Sequence, residues 1–159
     1  MEEMYMREAL KEAALAGDAG EIPIGAVIVK DGIVVGRGRN CVESTEDPTN
    51  HAEIIAIKDA CSALGVWRLS GCDMYVTLEP CSMCAGAIVL ARIARLYIGT
   101  EDPKSGACVS LRSITTDERL NHRVELHTGI LRDECSSILK EFFRELRKRP
   151  KKNLEEIEK

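Results

Sequence analysis

No stretch of this 159-residue chain is apolar for the roughly 20 residues that crossing a bilayer requires. The longest apolar runs, at 23–29 and 85–91, stop far short, so no membrane segment is expected. The start, Met1-Glu2-Glu3, is acidic and resembles neither a signal peptide nor an Arg-rich transit peptide, and a cytoplasmic location is expected. Net positive charge is lacking as well. The 22 Lys and Arg against 26 Asp and Glu leave a formal charge of −4. That balance argues mildly against a dedicated nucleic-acid binder. An even cysteine count is also missing: seven cysteines without an export signal point to reduced thiols and metal ligation, away from a disulfide framework. There is no internal repeat and no linker. A single domain over residues 1–149 is expected, followed by a charged and disordered tail over 150–159.

What is present centres on two short stretches, His51-Ala52-Glu53 and Pro80-Cys81-Ser82-Met83-Cys84. They supply one imidazole, two thiolates and a carboxylate that need not be a ligand. Structural zinc sites close all four tetrahedral positions with protein, whereas catalytic ones leave a position for water. Each stretch falls at the predicted start of a helix. Cys81 and Cys84, three apart, can then project from one face of a first turn, where free backbone N–H groups favour thiolates. Glu53 lies two residues from His51 and points about 200° away on an ideal helix. It suits a proton shuttle over a metal-bound water of pKa roughly 7 better than a ligand. The competing reading is a small structural zinc module, which would need a fourth ligand. Cys72 is the one weighed for that place, although it stands in a strand-like run beside Asp73. The other cysteines read as small buried hydrophobes.

Periodicity predicts a helix over 2–16 and strands over 22–30 and 33–36, joined by a turn at Asp31-Gly32. Residues 40–50 read as a loop, 51–64 as a helix, 74–78 as a strand, 81–94 as a helix and 96–99 as a strand. A long polar stretch over 100–121 follows, then a strand over 123–127 and a helix over 131–148. Gly36 and Gly38 read as points of strand flexibility. Strands that begin as a hairpin and then alternate with helices predict an α/β three-layer sandwich around a mixed, five-stranded sheet.

At these residues the chain resembles the zinc-dependent nucleoside deaminases, whose signature is His-x-Glu followed by Pro-Cys-x-x-Cys. The likeness runs from about Met4 to Leu146 and includes Ile22-Pro23-Ile24-Gly25-Ala26-Val27 and Thr77-Leu78-Glu79-Pro80-Cys81. The runs Asp102-Pro103-Lys104-Ser105-Gly106-Ala107 and Leu120-Asn121-His122-Arg123-Val124-Glu125 resemble the tRNA-specific branch. The resemblance implies a cytidine-deaminase-like fold and one zinc per subunit on His51, Cys81 and Cys84, with Glu53 as proton shuttle for a zinc-bound hydroxide. It implies deamination of adenosine to inosine, with release of ammonia, at the wobble position of arginine tRNA bearing the anticodon ACG. Asn40 and the backbone of Ala52 would hold the nucleoside, and Asp102, Lys104 and Ser105 would border the sugar-phosphate path. Asn121 and the basic end of the last helix would touch the anticodon stem-loop of a homodimer's tRNA. Two places depart from the branch: Glu101, where a base is common, and Cys108-Val109, where small residues are common.

Residues 140–152 carry seven cations against two carboxylates. They read either as a solvated helix face or as a patch that steers a phosphate backbone. Within enzymes, the alternative is a deaminase of free guanine or deoxycytidine monophosphate. His122 and His127 read as structural histidines.

Overall fold

The computed structural model describes residues 1–149, so the tail expected over 150–159 lies outside the described residues. In chain order the elements are α1 (Glu2–Asp18), β1 (Gly25–Lys30), β2 (Ile33–Arg39), α2 (Val42–Thr45), α3 (Ala52–Leu64), β3 (Asp73–Leu78), α4 (Ser82–Leu90), β4 (Arg95–Thr100), β5 (Glu125–Thr128) and α5 (Arg132–Arg147). A 3-10 turn at Ile114–Thr116 interrupts the long stretch before β5.

The apolar run of β1 is continuous because helices cover both of its faces. Ala26 and Ile28 point to one side, with Met74 and Val76 of β3 and Leu96 and Ile98 of β4, against α3 and α4. Val27, Val29, Tyr75 and Tyr97 point to the other, against Tyr5, Met6 and Ala9 of α1 and Cys135 of α5. Each fully buried aliphatic side chain contributes roughly 1.5–3 kcal/mol, so this two-sided alternation fixes the layers. The sheet order is β2-β1-β3-β4-β5. β1 runs antiparallel to both neighbours, while β3, β4 and β5 are parallel. This is the expected three-layer α/β/α sandwich on a mixed five-stranded sheet.

Three local expectations need correcting. Gly36 and Gly38 are sites of close approach. A Cβ at Gly36 would stand 2.6 Å from the Ala56 carbonyl and 2.7 Å from the Ala60 Cβ, and one at Gly38 would overlap the Ala52 carbonyl. α3 therefore lies almost on the backbone of β2, and its buried stripe is alanine, Ala52, Ala56 and Ala60, with Ile57 and Leu64 at the margin. The helix expected over 81–94 stops at Leu90, because Arg92 turns to positive φ (64°) and its guanidinium donates to the Val89 carbonyl at 3.0 Å. Ile93 is thereby fully buried. The loop expected over 40–50 contains α2, whose Glu43 and Ser44 N–H groups donate to the Glu21 carboxylate at 3.3 and 2.7 Å.

A row of rings crosses the sheet. Tyr75 stacks on Tyr97 at 4.5 Å, and Tyr97 stacks on His127 at 4.7 Å. His127 also bonds Glu125 at 2.9 Å, and His122 donates to the Ile93 carbonyl at 2.7 Å. Both histidines have structural partners, as expected. Among the described residues no helix is long and apolar enough to cross a membrane.

Candidate active site

Two helix N-termini meet where β3 ends. His51 is the residue before α3 and Cys81 the residue before α4, both with extended backbone (φ −75° and −73°). Cys84 sits in the first turn of α4 and is fully buried. The His51 Nδ1 lies 3.6 Å from the Cys81 Sγ and 3.6 Å from the Cys84 Sγ. A tetrahedral zinc ion with bonds of about 2.3 Å to sulfur and about 2.0 Å to nitrogen holds such atoms roughly 3.6 Å apart. The three donor atoms all lie within 4.8 Å of one another, a donor set and spacing that suit such an ion. Cys72 is buried elsewhere in the core and outside this group.

The thiol chemistry agrees with the spacing. A hydrogen bond from Cys84 is the first cause that draws the Cys81 thiol down to about 5, with the Cys84 and Met83 N–H groups and His51 adding to it. The same bond, with burial, raises Cys84. Glu53 is 4% exposed. Burial first, then the neighbouring Cys81, pushes its carboxyl up to about 7, so it can both hold and release a proton near neutrality.

A cavity of about 1050 Å³ opens over this cluster. His51, Glu53 and Cys81 form its floor, and Asn40, Asp102, Lys104 and Ser105 are among the residues that line it. Ala52 is fully buried beneath. Asn121 is exposed and does not line the cavity. Asp102 caps its own turn: its carboxylate accepts the Lys104 N–H at 3.0 Å and the Ser105 hydroxyl at 2.7 Å. The far wall, which sequence reasoning missed, is α5. Cys135 is its one buried residue among those described, and the apolar stripe Leu139, Phe142 and Leu146 turns to the cavity, half-buried. An amphipathic stripe longer than the sheet it covers was the available signal. Lys140, Arg144 and Arg147 line an adjoining groove of about 600 Å³ with Lys104 and Phe143. Lys151 and Lys152 of the basic segment lie outside the described residues.

Both departures from the branch pattern have local partners. Glu101 pairs with Arg132 at 2.6 Å, which ties the loop to the start of α5. Cys108 buries its side chain, and Val109 turns its own outward; both offer their N–H groups to Glu79 at 3.1 and 2.8 Å. Sequence reasoning placed Glu79 within a run that carries the resemblance but assigned it no role. Hydrogen bonds led by Ser110 outweigh burial and hold its carboxyl below the usual carboxylate value.

Comparison with known proteins follows the same lines. A family profile described as MafB19-like deaminase matches residues 1–147. The tRNA-specific adenosine deaminase of Bacillus subtilis (strain 168) is 49% identical over 158 residues, 98% of either chain. A solved structure from a study of A-to-I editing by tRNA:A34 deaminases at the wobble position of transfer RNA is 48% identical with a TM-score of 0.82. It matches 86% of this chain and 99% of that one. A guanine deaminase from Bacillus subtilis is 43% identical with a TM-score of 0.61, over 62% of this chain and 64% of that one.

Proposed function

The chain belongs to the MafB19-like deaminases and, among them, to the tRNA-specific adenosine deaminases, and from this membership we propose that it hydrolyses adenosine to inosine and ammonia at the wobble position of arginine tRNA with the anticodon ACG. The observation that carries the chemistry is the His51, Cys81 and Cys84 donor set at tetrahedral spacing beside a buried Glu53. His51, Cys81 and Cys84 would hold a zinc ion, which would supply Lewis acidity to the attacking water. Glu53 does the proton work. It accepts one proton from the attacking water and gives it to N1 of the purine beside C6, then takes the proton of the new C6 hydroxyl and delivers it to the amino group, so that the C6–N bond breaks, ammonia leaves and the C6 carbonyl of inosine forms. One water enters and one ammonia leaves, so the balance closes.

Asn40 and the Ala52 backbone hold the nucleoside against this floor, and Asp102, Lys104 and Ser105 border its sugar-phosphate path. The wobble nucleotide leaves its stack to reach the cavity. The basic end of α5 and Asn121 contact the anticodon stem-loop, Asn121 away from the reacting base. The working form is a cytoplasmic homodimer. A free guanine or deoxycytidine monophosphate substrate is the less favoured reading. The rim of the cavity continues into a groove lined by four cations, Lys104, Lys140, Arg144 and Arg147, which suits a phosphate backbone better than a free base.

The test is incubation of the zinc-loaded protein with arginine tRNA (ACG), guanine and deoxycytidine monophosphate in parallel. Inosine at the wobble base, read as an A-to-G change in complementary DNA, with the other two untouched, is the expected result. Turnover of guanine or the deoxynucleotide, with the tRNA unchanged, would overturn the substrate assignment.

A further inference from the structure

Glu79 is a buried carboxylate, 2% exposed, that the proton chemistry does not use. Its Oε1 accepts the Asp102 N–H at 3.0 Å and the Ser110 hydroxyl. Its Oε2 accepts the N–H groups of Cys108, Val109 and Ser110 at 3.1, 2.8 and 2.9 Å. Five donors therefore converge on one side chain. They all come from the loop that leaves β4, and none is a Lys or Arg. The backbone follows the same path: the Glu79 N–H donates to the Thr100 carbonyl at 2.9 Å, and the Ala107 N–H to the Pro80 carbonyl at 2.9 Å. Gly106 lies so close that a Cβ there would overlap the Glu79 carboxyl group. Its lack of a side chain is what lets the loop close on the anion.

An ionised carboxylate ringed by N–H donors makes charge-assisted bonds, stronger than neutral ones and costly to leave unpaired once buried. Asp102 orders Lys104 and Ser105, and Glu79 in turn fixes the Asp102 N–H. Glu79 stands two residues before Cys81, so one strand end both delivers a zinc-type ligand and sets the height of the rim.

We infer that Glu79 is a positioning residue that holds the 102–110 loop in register with the floor of the site, and through it sets how tightly the RNA is engaged. This rests on the RNA reading above. Glu79 touches neither base nor metal donor in this role. Its loss separates binding from chemistry.

Glu79→Gln tests this. The amide NH2 must face either the Asp102 N–H or the three N–H groups now at Oε2, so part of the loop loses its acceptor. Expected are zinc stoichiometry equal to the unaltered protein, KM for the anticodon stem-loop raised about tenfold, and kcat changed by less than about threefold. Amide hydrogen exchange, measured without RNA, is expected to speed up at 102 and 108–110 and stay unchanged in α3. A loss of kcat with KM unchanged, a loss of zinc, or unchanged exchange at those amides overturns the inference. If Glu79→Gln does not fold, Ser110→Ala decides the matter, because it removes one donor and keeps every backbone bond. It is expected to raise KM about two- to threefold with faster exchange at the same amides, and no change in either overturns the inference. Inactivity of the unaltered protein on RNA would defeat the RNA reading instead, while the exchange measurement would still report on the anchor.

Discussion

His51, Cys81 and Cys84 stand at the first turns of helices packed against the sheet, whereas Asp102, Lys104 and Ser105 ride on a loop held mainly by hydrogen bonds into Glu79. The floor owes its geometry to close packing: alanines of α3 lie on the glycines of β2, and α4 buries Ala85, Ile88 and Val89. The rim owes its geometry to hydrogen bonds into Glu79 and to one ion pair, Glu101 with Arg132. Packing is stiff toward small changes, since even one added methylene is felt. A hydrogen-bonded loop can be altered residue by residue while the core beneath stays put. The proposed hydrolytic chemistry thus sits on the stiff part, and the proposed recognition on the adjustable part.

Substitutions sharpen this contrast. Cys84→Ala should have the largest effect, removing zinc, activity and part of the stability together. Full zinc content in that variant, measured by atomic absorption, would bring Cys72 or another thiol into the site. Glu53→Ala should leave zinc and folding intact while the single-turnover rate falls by about 10⁴-fold. Loss of stoichiometric zinc would make Glu53 structural.

Gly38→Ala breaks the contrast from the packing side. It should destabilise the fold by about 1–3 kcal/mol in denaturant titration, because α3 must back away from β2. His51 and Glu53 then shift with their helix, so activity should fall with stability. A stable variant with altered activity would contradict the packing origin of the floor. Smallest is the joint replacement of Lys140, Arg144 and Arg147 by Gln. It should weaken tRNA binding and flatten its salt dependence by roughly 0.7–0.9 in log–log slope for each phosphate that the protein ceases to neutralise. Unchanged affinity would confine these cations to solubility.

The floor was legible in the sequence because its logic is local. Ligand types, the three-residue spacing of Cys81 and Cys84 and two predicted helix starts sufficed to group the three donors, whereas the helical angle invoked for Glu53 does not apply, because His51 precedes α3 with extended backbone. The sheet was legible through the Asp31-Gly32 turn and the apolar runs. The role of Gly36 and Gly38 was not, since close approach depends on a helix arriving from elsewhere. Glu79 was equally hidden. A carboxylate that binds backbone N–H groups needs no partner side chain and leaves no pattern of paired residues. The early end of α4 turned on Arg92 adopting positive φ, which arginine does not announce. Asn121, expected by resemblance to touch the anticodon stem-loop, does not line the cavity.

The most direct measurement of a division between generic floor and selective rim compares kcat/KM for an ACG anticodon stem-loop with that for free adenosine, using one zinc-loaded preparation. Binding energy from the flanking nucleotides should be expressed at the reacting carbon, so free adenosine is expected to be poorer by about 10³-fold or more. Equal kcat/KM for the two substrates would contradict it.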